Sequence, residues 1–332
     1  MKALLTLLLA WNVAQAQVVA PAEHRRGPEQ TFLTYPEWFL VHSPAEYAQY
    51  VKQHTPTLFP FIGHICQFWQ SYAAVTGATR DYPFNFGYHV MVIVIGLSTT
   101  VEYGLRATYE TMIGRLSELT AGVLTEEDRY GASVAQDYVN FIRERPWYEY
   151  DFPSKVIGLW REAPLFGPGL VRKWERRYAL TTEYLVKAVY AKLIGVGTRA
   201  SYEQPLELTA VVVSRVPKGV EKELPEIKVA QTLQGDAALL LLPRYQPFTR
   251  YSTGLAVRGV QFSEIAGNRS AILVSALVPM NWQSDAKLLF TQPILTRPDT
   301  KRVALVVLVD ELARTLNQLS SGGAVIEHVY DY

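Results

Sequence analysis

The chain has 332 residues, 49% hydrophobic and 19% charged, with 32 Lys and Arg against 31 Asp and Glu. That composition excludes a disordered chain, and the near-zero balance lacks the basic excess of a nucleic-acid binder, so no nucleic-acid partner is expected. The single cysteine, Cys66, excludes an intrachain disulfide framework and a Cys-rich zinc site.

The N-terminus reads as a secretory signal. Lys2 supplies a minimal positive region, Ala3 to Val13 is mostly apolar, and Ala14-Gln15-Ala16 has the small-x-small pattern of a cleavage site. Residues 1–16 are therefore predicted to be a signal peptide that delivers the chain to the cell envelope, either periplasmic or associated with the inner membrane. Residues 17–30, with Pro21, His24, Arg25, Arg26, Gly27 and Pro28, read as a flexible, solvated lead-in.

Residues 31–200 read as a helical domain. Ser43-Pro44-Ala45-Glu46 has the form of a helix start: an N-cap serine, proline at the first position and a glutamate that closes a capping box. Apolar residues at 58, 61, 62, 65, 68, 69 and 72 give helical spacing over the next stretch, which Tyr82-Pro83 breaks. Asn85 to Leu119 predicts one long helix or two joined ones. Thr125-Glu126-Glu127-Asp128 starts another, with acids at its positive end. Prolines and aromatics interrupt residues 146–170, and a last helix is expected from Leu170 to Ile194, closed by Gly195 and Gly197.

From residue 201 to 332 the pattern changes to strands. Leu206 to Val216 is strand-like, and 239–242 is a short apolar run. Residues 260–266 and 270–278 suggest a hairpin around Gly267-Asn268. Val303 to Val309 reads as a strand buried on both faces. It is followed by a helix carrying Leu312, Leu316 and Leu319, a stop at Ser320-Ser321-Gly322-Gly323, and a strand from Val325 to Tyr332. The fold class is thus α+β: an N-terminal helical domain, then an α+β domain of ferredoxin-like βαββαβ kind with an inserted hairpin. In that topology 303–309 pairs with at least one of 239–242 and 325–332. No internal repeat is evident.

Tyr82 to Val101 is long enough to cross a bilayer and has no formal charge if His89 is neutral, but polar residues dilute it. A second span near 178–196 would return the chain to its starting side, yet it carries Glu183, Lys187 and Lys192. Either both 84–101 and 178–196 are embedded or neither is. Trp160, Phe166 and Trp174 interleave with Arg172, Lys173, Arg176 and Arg177, a composition suited to a membrane interface. Those seven residues are the predicted membrane contact.

No catalytic or nucleotide-binding motif is present, and no cofactor is implied. His64, His89 and Glu102 are the candidates for acid–base or metal chemistry if the long helices bring them together. His328, beside Glu327, reads as structural. The leading expectation is a non-catalytic envelope protein that binds a lipid, a membrane surface or a protein partner. The alternative is an envelope enzyme or metal-binding protein built on His64, His89 and Glu102.

Overall fold

The computed structural model describes residues 18–201 and 207–331. The predicted leader, residues 1–16, lies outside the described residues. Helices make up the N-terminal part and two four-stranded antiparallel sheets the C-terminal part, which is the expected α+β arrangement.

Helix α1 (Gln30–Val51) runs unbroken through Pro36 and Pro44, so no new helix begins at Ser43. Ser43 and Glu46 point into the core instead of capping a helix end. Helix α2 (Phe61–Ala78) packs on α1 and on α3 (Phe86–Tyr109). The five residues Glu110–Gly114 form a π-helical turn that leads into α4 (Arg115–Glu118). A Cβ at Gly114 would run into the Glu110 carboxylate, so a larger residue there would have to displace the acid that pairs with Arg176. Helix α5 (Glu126–Ile142) starts where expected, and on a capping box: the Thr125 hydroxyl accepts from Asp128 N–H and the Asp128 carboxylate accepts from Thr125 N–H. Helix α6 (Phe152–Glu162) and the long α7 (Leu170–Ser201) complete this half. Helix α7 continues through Gly195, past its predicted end.

The C-terminal half is β1 (Leu208–Ser214), α8 (Val220–Glu223), β2 (Lys228–Thr232), β3 (Ala237–Pro243), α9 (Gln246–Val257) and β4 (Gln261–Ile265), then β5 (Ala271–Pro279), β6 (Leu288–Ile294), β7 (Arg297–Leu308), α10 (Leu312–Ser321) and β8 (Val325–Val329). The first sheet has the order β2-β3-β1-β4 and the second β6-β7-β5-β8. Both are the ferredoxin-like order, in which the fourth strand lies beside the first and the third beside the second. The fold therefore repeats: two such units follow one another, and the second has a loop where the first has α8.

This corrects two expectations. Strand β7 pairs with β5 and β6, and with neither 239–242 nor 325–332. The run 239–242 belongs to the other unit, and β5 separates β7 from β8. The segments 260–266 and 270–278 do not form a hairpin either. Strand β4 pairs with β1 and β5 with β7 and β8, while the Asn268 side chain accepts from Ser270 N–H and turns the chain from one sheet to the next.

The two units match in detail. After each helix a glycine in the left-handed region closes the same cap: Gly259 at φ +81° and Gly323 at φ +75°. Val260 N–H reaches back to Leu255 O, and Ala324 N–H to Leu319 O, the pairing of a Schellman end. Each last strand has a bulge at the same place, Ser263 opposite Val212/Val213 and Glu327 opposite Ser275/Ala276. The inner faces of both sheets and the two helices α9 and α10 share one apolar core that includes Val211, Leu240, Phe248, Val274, Leu305 and Leu316. A Cβ at Gly259 or Gly323 meets no atom within 4 Å, so each glycine-to-alanine change costs only the left-handed backbone, about 1 to 2 kcal/mol. Urea melts of Gly259→Ala and Gly323→Ala are expected to show equal losses. A loss at one site alone would contradict the equivalence of the caps.

The outer faces are covered by the N-terminal chain. Phe32, Leu33, Tyr35 and Trp38 of α1 pack on Leu273, Ala304 and Tyr330 of the second unit. Val18 to Ala20 pack on Ala210, Val212 and Leu239 of the first. The buried Glu264 carboxylate accepts from Val19 N–H (3.1 Å) and Ala20 N–H (2.7 Å). The described part of the expected lead-in is thus held against the sheet at this point and is not a solvated tail.

Candidate functional site

The three residues singled out for chemistry do not meet. His64, on α2, is buried between α1 and α3, with its Nδ1 3.0 Å from Ser43 Oγ. His89, near the start of α3, has its Nδ1 2.9 Å from the Tyr72 hydroxyl and stacks on Phe84 at 4.6 Å. Glu102 faces α7, where it pairs with Lys187 (3.1 Å) and with Arg106 (3.7 Å). Among the described residues no group of three His, Cys, Asp or Glu is placed to hold a metal ion. The alternative built on His64, His89 and Glu102 therefore loses its geometric premise.

A different set surrounds His64. Ser43 Oγ also lies 2.7 Å from the Tyr103 hydroxyl, and Glu46 Oε1 lies 3.7 Å from His64 Nε2. Serine, imidazole and carboxylate stand in the order of a hydrolytic triad, but all three are buried. Glu46 Oε1 is taken by the N–H and hydroxyl of Thr296. A cleft of about 470 Å³ lies elsewhere, bounded by Glu144, Gln246, Arg250, Ser320 and Ile326. Through these bonds the set ties α1, α2, α3 and the turn at Thr296 together inside the core.

A second buried network joins α1 to the second sheet. Arg302 donates twice to Glu327, at 2.6 and 3.0 Å. His42 Nε2 is 3.1 Å from the Tyr330 hydroxyl, and His328, as expected structural, stacks under Trp38 at 3.5 Å. Burial, with Arg302 and Arg143 adding repulsion against the pull of Glu327, lowers His42 to about 4. Burial, then Arg302, lowers His64 to about 3, and burial holds His328 well below its free value. All three imidazoles are therefore neutral at pH 7.

The predicted membrane contact divides in two. Trp160, Phe166 and Trp174 are exposed, but Arg172, Lys173, Arg176 and Arg177 are buried. Arg172 pairs with Asp128 (2.8 Å), Lys173 with Glu126 and Glu127, Arg176 with Glu110 (2.8 Å) and Glu175, and Arg177 with Glu127 (2.6 Å). These cations cannot face lipid headgroups. They are consumed by acids on α5 and on the π-turn, because an unpaired charge at such burial is prohibitively costly. Further along, Arg106 pairs with Glu183 (3.4 Å) and Lys187 with Glu102, so α3 and α7 lie antiparallel along a charged seam.

The outward sides of these helices reverse the usual pattern. From Phe86 to Leu119 the exposed positions are Phe86, Val90, Ile93, Val94, Leu97, Val101, Leu105, Met112, Ile113, Leu116 and Leu119 with small residues between them, and Arg115 is the only exposed charge. On α7, between Leu170 and Leu193, Lys192 is the only exposed charge. Helix α5, in the same half, exposes Glu126, Arg129, Ser133, Asp137 and Asn140, as a solvated helix does. Among the described residues one helical run, Phe86–Glu118, is long and apolar enough to cross a membrane, and little of it is buried. The predicted second span, 178–196, does not qualify.

Comparison with protein-family models, curated proteins and solved structures gives no match.

Proposed function

We propose that this is a non-catalytic cell-envelope protein that docks on a membrane surface through the uncharged side of α3 and α7. The observation that carries the reading is the inversion of those two helices, with charges turned inward and apolar side chains turned outward. A contiguous apolar face of this extent marks an interaction site on a folded protein. The predicted signal peptide supports an envelope location.

The helices lie along the bilayer in this reading and do not cross it. The inner side of α3 is packed over its length: Val92 with Phe39 and Phe68, and Tyr103 with Phe59 and Phe61. Helix α2 is bonded in turn to β6, since Gln67 donates to Pro293 O and Gln292 donates to Gln67 O. Driving α3 through a bilayer would drag α1, α2 and the edge of the second sheet into hydrocarbon, where polar backbone and side chains lose water at a cost of several kcal/mol per group.

Because the four cations are sequestered, binding is driven by apolar burial and not by charge. The purified protein is expected to float with vesicles of pure phosphatidylcholine, and raised salt is expected to leave the bound fraction unchanged. Val94→Asp combined with Leu97→Asp is expected to keep the fold, since both side chains are exposed, and to abolish flotation. Failure to float on any vesicle would overturn the membrane reading. Binding confined to anionic vesicles and released by salt would show that basic groups drive it.

A further inference from the structure

We infer that two adjoining loops, 119–123 and 165–171, form the tip that enters the acyl region, and that the buried arginines Arg172 and Arg177 hold the tip in shape. This rests on the membrane-docking reading and names the part of that face which goes deepest. The loops touch: a Cβ on Gly169 would lie 3.1 Å from the Ala121 side chain. Together with the end of α4 they carry Leu116, Leu119, Val123, Phe166, Leu170 and Val171, all exposed. Leu119, Phe166 and Val123 are 84%, 75% and 73% exposed, the three highest among the exposed large apolar side chains. Each loop turns on glycines in the left-handed region, Gly122 at φ +69° and Gly169 at φ +70°, so its apolar side chains are presented outward on a bend.

The arginines sit directly beneath. Arg177 donates to Ala163 O (2.9 Å) and Pro164 O (3.2 Å), where the second loop begins, and to Glu127 at the start of α5. Arg172 donates to Gly114 O (3.1 Å) and to Asp128, whose carboxylate also caps α5 just after the first loop. The two loops are thus fixed to two neighbouring ion-pair clusters, Arg172 and Arg176 with Asp128, Glu175 and Glu110, and Lys173 and Arg177 with Glu126 and Glu127; all four cations are drawn inward, and Glu126 alone of these acids is exposed. Trp160 and Trp174 flank the clusters, with ring centroids 6.0 Å apart, and Trp160 N–H is already donated to Thr181. An uncharged, aromatic-flanked apolar tip matches the hydrocarbon of a lipid surface. The tip lies about 45 Å along α7 from the end of that helix, at 1.5 Å per residue, and so is remote from the strands that follow.

The test uses the full chain in a Cys66→Ser background. Single cysteines replace Leu119, Phe166, Val94 or Arg129, and each carries an environment-sensitive fluorophore. With phosphatidylcholine vesicles, the labels at 119 and 166 are expected to shift to the blue and to be quenched by a spin label deep in the acyl chain more strongly than the label at 94. The label at 129, on the solvated side of α5, is expected not to change. Leu119→Asp with Phe166→Asp is expected to lower vesicle partition at least about tenfold. If the protein floats while labels 119 and 166 remain open to aqueous iodide, the tip is wrong and the membrane reading stands. If nothing floats, both fail. If those two labels become protected without vesicles as concentration rises, a second copy of the chain covers the tip, and the inference is overturned.

Discussion

Arg177→Met is expected to destabilise the fold by about 3 to 5 kcal/mol, the cost of leaving one member of a buried ion pair without its partner. Arg177 and Glu127 are both almost completely buried, and the guanidinium lies over Trp160 and Trp174 at 5.2 and 5.4 Å. Removing it leaves the Glu127 carboxylate with Lys173 alone, at 3.3 Å, and frees the carbonyls of Ala163 and Pro164. The double change Arg177→Met with Glu127→Met is expected to cost much less, because no buried charge is then orphaned. Urea denaturation of the two single variants and the double variant supplies the cycle. If the double variant loses the sum of the two singles, the residues are not coupled and the Arg177–Glu127 pair does not hold the tip. The same comparison bears on the membrane reading: if these cations did face a lipid surface, Arg177→Met would leave stability almost untouched and weaken binding to anionic vesicles.

The misreading of that segment has a physical cause. Arg172, Lys173, Arg176 and Arg177 each have an acid 44 to 66 residues upstream, and the one acid among them, Glu175, which pairs with Arg172 and Arg176, does not say whether the cluster faces water or the core. One signal was available. Positions 172, 173, 176 and 177 fall on one face of a helix, while Val171, Trp174 and Tyr178 fall on another, so charged and uncharged sides were already separated by the 3.6-residue period. The Ser43-Pro44-Ala45-Glu46 sequence misleads in the same way. It has every local mark of a helix start, yet Ser43 and Glu46 find their partners in Tyr103, His64 and Thr296, and these tertiary contacts carry α1 through the proline. Where the partners are local, the reading holds: the helix start at Thr125, the Gly323 stop and the β7–α10–β8 sequence are all legible, because each is decided within ten residues or by an unbroken apolar run. The repeat escapes notice because the two units keep little beyond a spaced leucine, a capping glycine and alternating apolar positions (Leu255, Gly259, Phe262 and Leu319, Gly323, Ile326), a pattern too sparse to stand out from ordinary strand alternation.

The imidazoles between α1 and its neighbours set a second large effect, through acid. His42 and His64 stay neutral in the fold down to about pH 4 and about pH 3, whereas in the unfolded chain both take up a proton near pH 6.5. Folded values below the unfolded one mean that the unfolded chain binds more protons in the interval, so their stabilisation is complete above pH 6.5 and is lost as pH falls. At about 1.4 kcal/mol per pH unit for each imidazole, the pair withdraws about 5 kcal/mol between pH 6.5 and 4.5. Total stability conceals this. Burial raises Glu37 to about 7, against the opposing effects of Tyr88 and Arg244, and raises Asp331 to about 6, against Arg244 and Thr209. These carboxyls gain stability on protonation over nearly the same range. The difference between the natural chain and a His42→Gln, His64→Asn variant isolates the imidazoles, because those amides can still bond Tyr330 and Ser43 but do not titrate. Chemical denaturation from pH 8 to 4.5 is expected to show the natural chain losing several kcal/mol relative to the variant below pH 6.5, and a difference that stays flat across that range would mean the two histidines are not held neutral in the core. Since His42 and Tyr330 join α1 to the second sheet, the first amides to lose hydrogen-exchange protection in acid are expected in α1 and β8, ahead of the shared core around α9 and α10.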